Sequence, residues 1–213
     1  VYNDGDLVQI PFSSSNSGGT TTYEWTSTDP STGMESSGSG NIEFIATNTG
    51  NSPIVTTVTV IPSFENGGIS NTGNPETFTV TVNPAPQVEF IQNINICAGD
   101  EINDINFSTL NTGGTTTYAW TNDNTAIGLA ASGNGDILSF TATNNTTSAL
   151  ITTIEVTPTY ENGGISNTGN PETFTITVNP GAQVDSVADQ VLCVGEPTND
   201  ILFTTTNTGG TTT

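Results

Sequence analysis

The chain has 213 residues, no Lys, Arg or His, and 21 Asp and Glu, for a formal charge of −21. Phosphate binding rests largely on Lys and Arg, so nucleic acid and anionic membrane surfaces are not expected as partners, and cations are the natural small ones. Catalytic triads and thiolate–imidazole pairs lack their base. A buried carboxylate here must find N–H donors, hydroxyls or a metal ion, or be protonated.

In chain order, "YNDGD" (2–6) opens as an acidic turn, and "GGTTTYEW" (18–25) reads as a strand ending on Trp25. "GNIEFIATN" (40–48) gives a second strand with Phe44. Val58 and Val60 share one face of a third. "ETFTVTVNP" (76–84) alternates Phe78, Val80 and Val82 with Thr, the two-residue period of a half-buried strand. The order then begins again. "AGDEIND" (98–104) is acidic, "INDINF" supplies Ile102, Ile105 and Phe107 with one break in alternation, and "GGTTTYAW" (113–120) ends on Trp120. "GDILSFTATN" (135–144) carries Phe140, and "ETFTITVNP" (172–180) carries Phe174, Ile176 and Val178. A third round starts with "GEPTND" (195–200) and stops at "GGTTT" (209–213). "ENGGISNTGNPETFT" stands unchanged at 65–79 and 161–175.

A period of this kind marks a repeat array. Trp25 and Trp120 are 95 apart, Cys97 and Cys193 are 96 apart, and the extra residue falls near Asp136–Ile137. This alignment matches Ile42, Phe44 and Ala46 to Leu138, Phe140 and Ala142. The unit length is that of an immunoglobulin-like β-sandwich, and about seven strands are expected per full repeat. The expected domains are 1–84, lacking its first strand, 85–180, complete, and 181–213, the start of a third. Short joints, "NPAPQ" (83–87) and "NPGAQ" (179–183), separate them. The two Trp and the four Phe (Phe44, Phe78, Phe140 and Phe174) are expected as core anchors. No apolar stretch is long enough to span a membrane. Residue 1 falls inside a repeat, so the chain reads as a piece of something longer.

The stretch "YAWTNDNTAIGLAASGNGDILSFTATN", with "TTIEVTPTYENGG" and "ETFTITVNP", resembles the PKD-like repeats of giant surface proteins in Bacteroidota, among them the SprB-type gliding-motility adhesins. The resemblance covers essentially the whole chain. It implies an all-β fold of tandem immunoglobulin-like (PKD-like) sandwiches of about 95 residues. It also implies type IX export, display at the bacterial cell surface, and partners in the outer-membrane secretion and motility machinery beside the neighbouring repeats. In that family a Cys in the "GGISNTG" stretch often pairs with one near the domain start. Here Asn71 or Asn167 holds the first position, and Tyr2 holds the second in the first domain. Cys97 and Cys193 then read as free thiols, either buried small hydrophobes or sites of intermolecular cross-linking.

The acidic turns pose two readings. Asp6, Asp100, Glu101, Asp104, Glu196 and Asp200 recur soon after each joint and carry the oxygen ligands that calcium takes. The favoured reading is solvated turns, since no EF-hand loop is present and the spacing varies. "DSV" (185–187) resembles the short O-glycosylation signal of Bacteroidota and points to Ser186. Asn106, Asn144 and Asn145 fit N-x-S/T. No residue is assigned a catalytic role and no cofactor other than calcium is implied. The expected function is a non-enzymatic spacer in a large secreted adhesin. The alternatives are a multivalent glycan- or polymer-binding array, with Tyr23, Tyr118 and Tyr160 as the arguable exposed aromatics, and accessory domains of a secreted enzyme.

Overall fold

A computed structural model describes residues 1–210; the last three Thr of the third "GGTTT" lie outside the described residues. The Thr-alternating stretches form strands. The first copy of the repeat holds β1 (Tyr2–Asn3), β2 (Leu7–Ile10), β3 (Thr20–Ser27), β4 (Ser37–Ser39), β5 (Ile42–Ile45), β6 (Ile54–Asn66), β7 (Ile69–Thr72) and β8 (Glu76–Asn83). The second holds β9 (Ile94–Cys97), β10 (Glu101–Ile102), β11 (Thr115–Asn122), β12 (Ser132–Asn134), β13 (Phe140–Thr141), β14 (Leu150–Asn162), β15 (Ile165–Thr168) and β16 (Glu172–Asn179). Two single-turn 3-10 helices, Pro30–Thr32 and Thr125–Ile127, are capped by the side chains of Asp29 and Asn124. The fold is all-β, with sandwich-like sheets.

In the first copy the larger sheet runs β1-β8-β6-β3-β4, with β7 also on β6, and β2 pairs with β5. β1 joins β8 in parallel, while the other pairings are antiparallel. The second copy repeats this order with β9, β16, β14, β11 and β12, with β15 on β14, and with β10 against β13. Each copy has eight strands rather than seven, because the residues after "NGG" pair back on the long strand. Asn66 pairs with Ile69 and Glu65 with Ser70 around a two-residue turn in which Gly67 (φ 61) and Gly68 (φ 80) are both left-handed. Two positive φ values in a two-residue loop define the type I′ hairpin, which side chains other than Gly, Asn or Asp resist. The fifteen repeated residues thus include a hairpin arm, Ile69–Thr72 in the first copy.

The described chain forms two compact units: Val1–Glu89 with Ser108–Tyr118 and Thr157–Pro171, and Phe90–Phe107 with Ala119–Val156 and the chain from Glu172 on. In the first, Val8, Trp25, Met34, Ile42, Ala46, Val58, Val60, Val80 and Val82 form a buried cluster, with half-buried Tyr23, Phe44 and Phe78 against it. In the second, Ile102, Trp120, Ile137, Ile154, Phe174, Ile176 and Val178 are buried. Trp25 and Trp120 keep only 8% and 7% of their surface. A Cβ on Gly38 would stand 2.4 Å from the Trp25 ring, and one on Gly133 would stand 2.3 Å from the Trp120 ring. Only glycine allows the neighbouring strand to lie on the indole. Of the four Phe, Phe174 is fully buried, whereas Phe44, Phe78 and Phe140 are half-buried.

The register corrects the alignment of the copies. Ile10 pairs with Ile42, and the bridge Ile105–Ile137 takes the same place in the second copy. Ile137 is buried as Ile42 is, while Leu138 is 74% exposed, so Ile42 corresponds to Ile137 and not to Leu138. Val8–Phe44 corresponds to Ile102–Phe140. One residue has thus been added in each strand of this pair. Asp104 closes the double bulge by accepting a hydrogen bond from the Ser139 N–H at 2.7 Å.

Candidate functional site

In a chain of copied sandwiches the distinctive chemistry lies where one copy meets the next. The first unit contains such a joint. Asn83, fully buried at the end of β8, donates through Nδ2 to the carbonyl of Asn162 at 3.4 Å, and its Oδ1 accepts from Asn162 Nδ2 at 3.0 Å. Asn3 Nδ2 donates to the Ser166 carbonyl at 3.3 Å. Asn51 accepts twice, from the Thr112 N–H at 2.7 Å and from Gln87 Nε2 at 2.6 Å. The β14–β15 hairpin of the second copy thus rests on β1 and the end of β8 of the first, while Gln87 and the Thr112–Gly113 turn meet the Asn51–Pro53 turn.

Packing is as close as the hydrogen bonding. A Cβ on Gly113 would come within 2.7 Å of Pro53 Cδ, and one on Gly163 within 2.8 Å of Val1 Cγ2. Gly169 has its Cβ position 2.1 Å from the Pro86 carbonyl oxygen. Pro84 and Pro86 of the connection are both buried. Tyr160 is wholly buried and donates to the Thr112 carbonyl at 2.9 Å, and this burial pushes its phenol above the usual range. Each hydrogen-bonding partner is an amide, a carbonyl or a phenol, so these contacts use no charged group.

The start of the next joint follows the same rules. Thr208 N–H donates to the Thr147 carbonyl at 2.7 Å, as Thr112 does to Asn51. Asn207 Nδ2 donates to the Gly181 carbonyl at 2.9 Å, as Asn111 does to Ala85 at 3.1 Å.

The acidic candidates are spread along the turns. Asp6 Oδ2 accepts from the Asn3 N–H at 2.7 Å and Asp104 is committed to Ser139. Asp100, Glu101, Glu196 and Asp200 are exposed. Among the described residues no group of three or more carboxylate, Cys or His side chains is gathered as a metal site. The two carboxyls held below their ordinary range lie elsewhere: Asp29, through hydrogen bonds from the Ser31 side chain and N–H, and Asp123, through the Thr152 hydroxyl and the Thr153 N–H.

Cys97 and Cys193 are free and exposed, which overturns the buried alternative. In β9, Ile94 and Ile96 turn inward, so alternation puts Cys97 outward. Register also corrects its counterpart. Asn179 pairs with Cys97 and Asn83 with Asn3, so Asn3, not Tyr2, holds the cysteine position of the first copy. In that copy Asn71 pairs with Phe64 toward the far end of β6, whereas Asn3 lies beside the Ile54 end. The distance is ten residues, or ~33 Å, so these two positions are not partners within one copy. Ser186 is exposed, and Asp185 before it accepts from the Thr204 hydroxyl. Asn144 is buried and donates to the Ser148 and Val178 carbonyls. Tyr160 is buried within its own copy, on the Thr112 carbonyl, and is not on the surface, and Tyr23 and Tyr118 are half-buried.

The fold and the joint define a chain of tandem β-sandwich repeats. No protein-family model matches it. No curated protein matches it either. Among solved structures, the EC1-2 segment of human protocadherin-24 aligns at a TM-score of 0.34 and 12% identity, over 75% of this chain and 83% of that one. Zebrafish RET cadherin-like domains 1 to 4 align at 0.29 and 12% identity, over 76% of this chain and 41% of that one.

Proposed function

We propose that the chain is a non-catalytic spacer: consecutive sandwich repeats, divided near 84 and 180, within a very large secreted bacterial adhesin at the cell surface, serving gliding motility or attachment. The observation that carries this reading is the joint. A tether that let domains wander would be built of exposed Gly and Ser. Here the connection buries Pro84 and Pro86 and locks Asn83 against Asn162. The two copies of the fifteen-residue stretch supply the same hairpin, so every added repeat brings its own docking element. The 13-residue strands β6 and β14 give each repeat a length of ~43 Å. Lacking Lys and Arg, such a spacer offers trypsin-like proteases no cleavage site. The resemblance to PKD-like repeats of gliding adhesins supports export by the type IX route and anchoring through outer-membrane motility machinery.

Negative-stain electron microscopy of the full-length protein released from cells tests this. A beaded rod with a repeat of ~40 Å is expected, given the strand length. Because the joint runs on amides and carbonyls, the rod is expected to persist in chelator. A compact particle would overturn the spacer, and a rod that turns floppy in chelator would assign the acidic turns to calcium.

A further inference from the structure

In the second copy, the end of β11 and the neighbouring strand β14 bring a hydroxyl, an amide and a carboxylate together. Thr152 keeps 1% of its surface and Asn122 6%. The Thr152 hydroxyl lies against Asn122 Oδ1 and donates to Asp123 Oδ1 at 2.6 Å. Asn122 Oδ1 also accepts the Asn124 N–H at 3.0 Å. Asn122 Nδ2 donates to the carbonyls of Leu129 and Ala130, each at 3.1 Å. Asp123 itself is exposed.

Each of these contacts has a use in acyl transfer. A hydroxyl nucleophile needs a base, and the Asp123 carboxylate already holds the Thr152 proton. Hydrogen bonds from Thr152 and Thr153 keep the Asp123 carboxyl below its ordinary range, so it is ionised at neutral pH. An amide oxygen that gains negative charge needs an N–H donor, and Asn124 supplies one. A nitrogen that gains positive charge as it departs is favoured by carbonyl dipoles, and Leu129 and Ala130 supply two. Burial of Thr152 and Asn122 keeps water from competing with the hydroxyl and from hydrolysing the product. The first copy lacks this set. Thr56 is as buried as Thr152, but Ser27 and Thr28 stand where Asn122 and Asp123 stand, and Thr56 accepts the Asp29 N–H at 3.0 Å.

We propose that Thr152 and Asn122 close an intramolecular ester, with Asp123 as the base. Thr152 Oγ1 bonds to Asn122 Cγ while its proton passes to Asp123. The Cγ–Nδ2 bond then breaks, the proton is returned to the nitrogen, and ammonia leaves. One hydroxyl and one amide become one ester and one ammonia, with no oxidant, reductant or cofactor. The contacts described above are those of the unreacted pair. The ester ties β11 to β14, neighbours in the middle of the larger sheet, across a sequence separation of 30. A covalent tie of this kind constrains the unfolded chain as a disulfide does. It needs neither the Lys of an isopeptide bond nor a second Cys.

Intact mass spectrometry of the 213-residue chain, purified and then held folded at neutral pH, tests the proposal. A species lighter by one ammonia is expected to accumulate. Chymotryptic digestion after unfolding is expected to yield fragment 121–129 joined to fragment 151–160, and mild alkali to separate them. Thr152→Val, which keeps the side-chain shape, is expected to hold the full mass. Asp123→Thr, which installs the residue of the first copy, is expected to hold the full mass over the same incubation. A wild-type chain that keeps its full mass overturns the proposal. So does a loss of ammonia that persists in Thr152→Val, because the reacting amide then has another partner.

Discussion

The two hairpins of identical sequence, 65–72 and 161–168, have different surroundings. In the first copy Ile69 is 77% exposed and Phe64 is half-buried. In the second, Ile165 is 38% exposed, and Tyr160, at the place of Phe64, is fully buried with its hydroxyl on Thr112. Asn66 is exposed, whereas its counterpart Asn162 exchanges amide hydrogen bonds with Asn83. Folding of a single copy does not demand this identity, since the first hairpin closes without any of those partners. What the docked hairpin uses is its surface: Gly163 against Val1, the Ser166 carbonyl for Asn3, and the Asn162 amide. Identity at surface positions is thus accounted for by a contact between copies.

The comparison is broken most severely at matched glycines. Gly73 and Gly169 occupy equivalent positions, and both donate to the carbonyl of a proline on the long strand. An added Cβ meets Pro62 Cγ at 3.0 Å in the first case and the Pro86 carbonyl oxygen at 2.1 Å in the second. Gly169→Ala is therefore expected to cost ~2–3 kcal/mol, as overpacking against backbone does, and Gly73→Ala less than ~1 kcal/mol. Urea unfolding of the two variants side by side measures the difference, and equal losses would mean that the Pro86 contact is not formed.

Next in size are the amides. Asn162→Ala leaves the fully buried Asn83 Oδ1 without its donor and is expected to cost ~2 kcal/mol, with Asn66→Ala near zero. Tyr160→Phe removes one hydrogen bond and is expected to cost ~1 kcal/mol, while Phe64→Tyr, at the undocked hairpin, is expected to be neutral within error. If Asn162→Ala and Asn66→Ala behave alike, the joint does not persist in solution.

These contacts separate what was legible in the sequence from what was not. The strands, the sheet class and the buried Trp follow from alternation, because a period of two leaves few other ways to hide Val58, Val60, Phe174 and Ile176. The joint was hidden, since Asn, Gly and Pro in a turn-rich β protein look like ordinary loop residues and reveal a docking role only when two copies are placed together. The cysteine position was misassigned by one residue for a local reason. Two residues were inserted, one in each strand of a bulged pair, and the sequence comparison saw only the second. Leu138 looked like the core partner of Ile42 because it is apolar, but the bulge turns it outward and gives the place to Ile137. The acidic turns are open by composition to two readings, solvated turns or calcium sites, and in the structure Asp6 and Asp104 each accept a backbone N–H, from Asn3 and Ser139.

The smallest expected effect distinguishes the copies by charge. Asp123 accepts from the Thr152 hydroxyl at 2.6 Å and the Thr153 N–H at 2.8 Å. In the first copy Thr28 stands there, and its hydroxyl accepts from the Thr57 N–H at 2.9 Å. The same strand contact is thus held by a carboxylate in one copy and a neutral hydroxyl in the other. Hydrogen bonding to the charged form lowers the Asp123 pKa below its unfolded value. A depressed carboxylate stabilises the fold above the unfolded pKa of about 4, and that contribution is lost as pH falls through the lower folded value. Unfolding followed through Trp120, in a Trp25→Phe background, is then expected to show falling stability below about pH 4. Asp123→Thr gives the second copy the neutral acceptor of the first and is expected to flatten that slope while keeping the Thr153 bond. Asp29, held down by Ser31 in the first copy, is answered by the neutral cap Asn124 in the second, so Asp29→Asn is expected to flatten the slope seen through Trp25 instead. If Asp123→Thr altered the Trp25 slope and left the Trp120 slope unchanged, the assignment of acid sensitivity to these two turns would be wrong.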